Sequence, residues 1–259
     1  MTHPAKDAIR RYRRSHDDVA QLVSEFGESD LQAQSGSTEW TVAQVLNHLG
    51  NASEIALRTL ERGKADMGGN QAVWARWDAM SPTEQAANFV TWEGKLVSAL
   101  EALSDNDLES KRIDIGFLPF PVDVGLFVDM RLSEVALHRW DVDVAFDRSA
   151  RVPSYLVPAV LDRLPMFAGF FAKSIGKTGT VLIETVDPAR NYLLELRDDG
   201  NALTEVEDPL PEAQTNVTMS GEALARLTAG RLSPEHTPEG ISVAGSLDLE
   251  ELRQLFPGF

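Results

Sequence analysis

Four stretches in the first 146 residues repeat apolar side chains at three- and four-residue steps, and that period restricts this half of the chain to helices packed on one another. From Ala5 to Phe26, one face collects Ile9, Tyr12, His16, Val19, Val23 and Phe26. Thr41 to Arg62 sets Val42, Val45, Leu49, Ala52, Ile55 and Ala56 on one arc, with Thr38 or Thr41 as its cap. Ser81-Pro82 opens a third helix, with Ser81 as N-cap and Pro82 in the first helical position, and it runs to about Leu103. Val124 to Phe146 makes the fourth. Four helices of roughly twenty residues with moderate connections predict an antiparallel bundle. Asp105 to Pro121, which contains Pro and Gly, reads as a long crossover.

After Asp147 the texture changes. Arg151-Val-Pro153 reads as a linker, and Tyr155 to Ser174 as a helix. Short β-branched runs follow at Thr180 to Val186, Tyr192 to Leu196 and Asn216 to Met219, punctuated by Gly176, Gly179, Asp199-Gly200 and Pro209. Ser220 to Thr228 and Leu247 to Leu255 read as helices. The expectation is an α+β chain: a helical domain over residues 1–150 and a smaller α+β domain over residues 151–259.

The fourth helix carries Glu134 and His138 four residues apart, which stacks both side chains on one face. At about 100° per residue, Phe127, Glu134, His138, Asp141 and Ala145 share a direction between two apolar flanks, so the ionisable groups point where the helix faces the core. A carboxylate buried there without a partner costs several kcal/mol. A metal ion is one partner; Arg131, three residues earlier on nearly the same face, is another. On the second helix His48 shares its direction with Thr41, Val45, Ala52 and Ile55 and points away from the polar side of Asn47, Glu54 and Arg58. A lone inward His is most often a hydrogen-bonded core residue. Two inward imidazoles and a carboxylate on two helices instead make a donor set common to catalytic zinc and to non-haem Fe(II). Asp141 is placed to accept from the other ring nitrogen of His138. His16 is also inward, as a further ligand, a supporting donor or a packing residue; His3 and His236 have no assigned role. Trp40 and Trp140 read as packing residues at helix ends, and Trp74 and Trp77 as residues able to line a cleft.

Composition narrows the chemistry. A net charge of −16 disfavours nucleic acid and anionic membrane surfaces as partners, which leaves a small-molecule substrate. With no cysteine, thiolate metal sites and a cysteine nucleophile are excluded. The N-terminal stretch is basic and polar and lacks a signal-peptide core, so the expected location is cytoplasmic, with the chain acting as a monomer or homodimer.

Four segments carry a family resemblance. Trp40-Thr-Val-Ala-Gln-Val-Leu-Asn-His48-Leu-Gly50 resembles the W-T-V-x-x-V-x-x-H-L signature of the mycothiol-dependent maleylpyruvate isomerase family, within the DinB-like superfamily. Glu134-Val-Ala-Leu-His138-Arg-Trp-Asp141 is similar to its E-x-x-x-H-x-W-D signature. Gly230-Arg231-Leu232 and Val243-Ala-Gly245 resemble elements of its C-terminal domain. The resemblance implies a DinB-like four-helix bundle holding one divalent metal ion, zinc, through His48, Glu134 and His138, and a C-terminal domain resembling sterol-carrier domains. Arg231 becomes the candidate catalytic, anion-binding residue, although an Arg after Gly at a helix end is more commonly a dipole partner. The implied activity is isomerisation of maleylpyruvate, or S-transfer to a related electrophile, with mycothiol or a similar thiol as coenzyme. Two rivals share the residues: a hydrolase in which the same metal activates water, and a non-catalytic module in which Glu134 pairs with Arg131.

Overall fold

The structure is a computed structural model that describes residues 3–37 and 39–258, without the side chain of Phe170. It divides into two compact units, Met1–Ala150 and Arg151–Phe259. In the first unit α1 (Pro4–Ser24), α3 (Val42–Arg62), α5 (Pro82–Glu101) and α7 (Val124–Asp143) are the long helices. They pack in a closed cycle, α1 on α5 and α7, α3 on α5 and α7. Shorter helices lie between them: α2 (Glu28–Leu31), α4 (Met67–Asp78) and α6 (Asp105–Ser110).

Local chemistry sets the boundaries. Thr41 Oγ1 accepts from Gln44 N while Gln44 Oε1 accepts from Thr41 N, a reciprocal cap at the start of α3. The alternative cap, Thr38, lies outside the described residues. Gly63 ends α3 at φ 75°, in the left-handed region, and donates to the Thr59 carbonyl. Ser81 and Glu84 form the same reciprocal cap on α5, with Pro82 behind it. Gly50 permits the close approach of α3 to its neighbours: a Cβ there would lie 2.2 Å from the Trp77 ring and 3.0 Å from Phe89 Cα. Val45, Leu46, Leu49, Phe89, Leu96, Val128 and Leu132 fill the bundle core.

The stretch 105–121 is less open than a crossover. It contains α6, and Ile113 and Val122 form a β-bridge, with both residues buried. The larger departure is α4, a twelve-residue helix whose apolar periodicity is too weak to read from the sequence. It covers the side of α3 that reads as polar. Asn47 and Glu54 are therefore buried, and Glu54 accepts from Arg76 and from Trp77 Nε1 at 2.9 Å.

In the second unit, the stretch 155–174 is two helices, α8 (Val157–Leu161) and α9 (Leu164–Phe171). Pro165 has no N–H to bond the Leu161 carbonyl, which accepts from the Tyr192 hydroxyl at 3.4 Å instead. The strands are β1 (Gly179–Val186), β2 (Ala189–Leu196), β3 (Ala202–Glu205), β4 (Thr215–Met219) and β5 (Ser242–Gly245), in the order β3-β2-β1-β4-β5. Among the described strands of this sheet only β1 and β4 pair in parallel, with Ile183 opposite Val217. Thr215, Val217 and Met219 are buried and alternate with exposed Asn216 and Thr218, so one face of the sheet is covered. α10 (Gly221–Thr228), capped by Ser220, packs on that unit's helices and on β1, and α11 (Leu249–Leu255) closes the chain. The fold is thus α+β. Among the described residues no helix is long and apolar enough to cross a membrane.

Candidate metal centre

Two helix starts fix the site. The cap at Thr41 sets the phase of α3, which brings His48 to the side facing α7. Asp123 caps α7, its Oδ1 accepting from Leu126 N at 2.8 Å, and Glu134 and His138 follow on one face. Across the helix pair His48 Nε2 lies 2.7 Å from Glu134 Oε1, and His138 Nε2 lies 3.4 Å from the same oxygen. The two imidazole rings meet edge-on with centroids 4.7 Å apart. Ligand atoms of His48, Glu134 and His138 all fall within 4.8 Å of one another.

His138 Nδ1 lies 2.8 Å from Asp141 Oδ2, and Asp141 is fully buried. An ionised carboxylate can only accept, so this contact places the proton on Nδ1 and turns the Nε2 lone pair toward Glu134. A lone pair and a carboxylate oxygen at 3.4 Å repel unless a proton or a cation lies between them, so the donors present fit a bound metal ion. Burial alone pushes the Glu134 carboxyl pKa up; when His138 and His48 are protonated, their hydrogen bonds and charges outweigh it and hold the group well below the usual carboxylate range. The carboxylate is thus ionised and competent as a ligand.

The surroundings differ from a solid core. The Glu134 side chain is 41% exposed and that of His48 33%, because both stand in the wall of a cavity of about 790 Å³. The apolar arc of α7 that directs Glu134 inward leads to this cavity. Trp40 packs against both imidazoles, 5.2 Å from the His48 ring and 5.9 Å from the His138 ring, so its role includes shielding the donors. Trp140 is buried as a packing residue and donates to the Ala150 carbonyl. Trp74 lines the cavity, whereas Trp77 is buried beneath it.

Arg131 does not clamp Glu134. Its Nη2 donates to Ser53 Oγ at 3.2 Å and to the Leu49 carbonyl at 3.4 Å, and Tyr12 and Glu93 flank it inside the bundle. His16 stands elsewhere, buried against Gly94 at the α1–α5 interface, where burial and then Arg13 push its pKa down. It is not among the clustered donors. His3 accepts from Ala5 N at the start of α1, and His236 lies in the 3₁₀ turn Pro234–His236. Arg231 belongs to the second unit; it follows Gly230, which has φ 71°, and its Nη1 donates to the Ala229 carbonyl at 3.0 Å. Asn47, Asn51 and Asp78 are cavity residues that sequence pattern alone misses. Asn51 donates to Asn47 and Asn47 to Asp78, a chain completed only by α4.

The fold and the donor set together define a helical-bundle protein with a two-histidine, one-carboxylate centre beside an internal cavity. Residues 12–143, just over half of the chain, match the model for the mycothiol maleylpyruvate isomerase N-terminal domain, and the chain belongs to that family. Among solved structures, the crystal structure of a histidine-to-alanine mutant of the mycothiol-dependent maleylpyruvate isomerase aligns with a TM-score of 0.67 at 12% identity, over 96% of this chain and 98% of that one. The structure of the unmutated isomerase aligns with a TM-score of 0.64 at 13% identity, over the same shares of the two chains. At such identity the likeness establishes a shared fold. A comparison with curated proteins finds no match.

Proposed function

We propose that this chain is a metal-dependent enzyme that uses a low-molecular-weight thiol, mycothiol first among them, to isomerise or add sulfur to a small electrophile of the maleylpyruvate type. The observation that carries the reading is the convergence of His48, Glu134 and His138 from two helices to within 4.8 Å. Family membership supports the thiol and the isomerisation. On this reading the first unit is a DinB-like bundle, residues 151–259 form a sterol-carrier-like domain, and the boundary falls at 150/151.

The three side chains hold one divalent ion, zinc in the first instance, through two imidazole nitrogens and one carboxylate oxygen. Such an ion lowers the pKa of a thiol so that it is ionised near neutral pH. Asp141 keeps His138 in the tautomer that presents Nε2. Glu134 stays ionised under its two histidines, and Trp40 excludes water from one side of the donors. The chain has no cysteine of its own, which agrees with a nucleophile brought by a coenzyme. Arg231 is the proposed anion-binding residue of the second unit, on the strength of its Gly-Arg-Leu context.

Turnover of maleylpyruvate, or of another activated alkene, is expected to depend on added thiol. Product formed at an undiminished rate with no thiol present would point to water as the nucleophile and overturn the thiol assignment.

A further inference from the structure

The cavity beside the donors is long and changes character along its length. On α3 its wall runs from Gln44, Asn47, His48 and Asn51 to Ala52, Ile55 and Ala56. From His48 to Ala56 the helix rises about 12 Å at 1.5 Å per residue. α7 runs antiparallel to α3, with Glu134 level with His48 and Arg131 level with Leu49 and Ser53. Phe127 and Met130 therefore face the apolar end. At the rim Met67, Trp74 and Phe117 line the same cavity and are 58%, 43% and 64% exposed. Three large apolar side chains gathered on one opening is a costly surface unless an apolar ligand covers it.

Charge argues the same way. The charged residues in the wall are Asp78, Glu134 and Arg131. Arg131 already donates to Ser53 and Leu49 and is flanked by Glu93. Two carboxylates against one guanidinium leave the wall net negative, which disfavours a small dianion there.

Resting on the metal-site reading for the position of the reacting atoms, we propose that the electrophile this cavity takes carries an unbranched or aromatic apolar tail lying between Ile55, Ala56, Phe127 and Met130, with its reactive end at His48 and Glu134. An extended chain advances roughly 1.2 Å per bond, so the 12 Å arm holds about ten bonds. The substrate class is an activated alkene extended by a medium-length apolar tail.

The test is binding of inert probes, 1-octanol against 1-butanol, titrated into the full chain and followed by tryptophan fluorescence and calorimetry. Each buried methylene contributes about 0.8 kcal/mol, close to fourfold in affinity, so four of them give a preference on the order of a hundredfold. Ala52→Phe, which fills the arm, is expected to abolish the preference, and Phe117→Ser at the exposed rim to reduce it several-fold without disturbing the fold. Equal affinities for the two alcohols, or a full preference retained in a folded Ala52→Phe protein, would overturn the assignment. The preference needs no metal and is read equally in His138→Ala. Absence of metal with the preference intact therefore refutes the metal reading alone, and bound metal without a preference refutes the tail assignment alone.

Discussion

Glu93 is a carboxylate with 0% exposure at the centre of the bundle, and replacing it with Gln should stabilise the protein in a pH-dependent way. Burial pushes its pKa from the ordinary 4.5 up to about 7, against the opposing pull of Arg131 and of the Tyr12 hydroxyl. Below pH 4.5 the side chain is protonated in the folded and unfolded chains alike, and its titration contributes nothing. Between 4.5 and 7 the unfolded chain releases the proton while the folded one retains it, so stability falls as pH rises. Above 7 the loss is complete, at roughly 3 kcal/mol for a rise of this size. Glu93→Gln has no proton to release. Its stability relative to the parent should therefore climb by about 3 kcal/mol between pH 4 and pH 8. Urea unfolding of both proteins across that range, with a chelator present so that bound metal does not contribute, measures the difference directly, and every other titrating group cancels. A stability difference flat with pH would refute the claim that burial governs this carboxylate.

Other expectations follow from the same geometry. Asp141→Ala removes the acceptor that orients His138 and should weaken metal affinity about 10–100-fold, measured by competition with a chelator; unchanged affinity would remove Asp141 from the site. Protons compete with the metal for the two imidazoles while Glu134 stays ionised, so affinity should fall as pH drops below about 6, and metal content flat down to pH 4 would contradict imidazole ligation. Gly50→Ala improves helix propensity yet drives a Cβ to 2.2 Å from the Trp77 ring, and should lower stability by about 1–3 kcal/mol in thermal or urea unfolding; a more stable protein would show that the Trp77 contact gives way.

The long helices were legible from local signals: caps at Thr41 and Ser81, and apolar side chains recurring along α1, α3 and α7. His48, Glu134 and His138 stood out because ionisable side chains on those arcs break the pattern. The helix α4 lacks such an arc, and its absence from the pattern made Asn47 and Glu54 look solvent-facing when α4 buries them. The cavity was hidden for the same reason: its wall needs Met67 and Trp74 from α4 and Phe117 from the 105–121 stretch, which are non-local contacts. β3, β5 and the break at Pro165 were missed because four-residue strands and short helices depend on their partners more than on their own sequence.

Everything about the site turns on whether three side chains, from α3 and α7, bind one ion together. Metal analysis of the purified chain, alongside His48→Ala, Glu134→Gln and His138→Ala, asks that question most directly. The parent should carry close to one equivalent of a divalent metal, and each variant should lose most of it. Full occupancy in any folded variant, or a parent that takes up no divalent ion when dialysed against zinc, would contradict it.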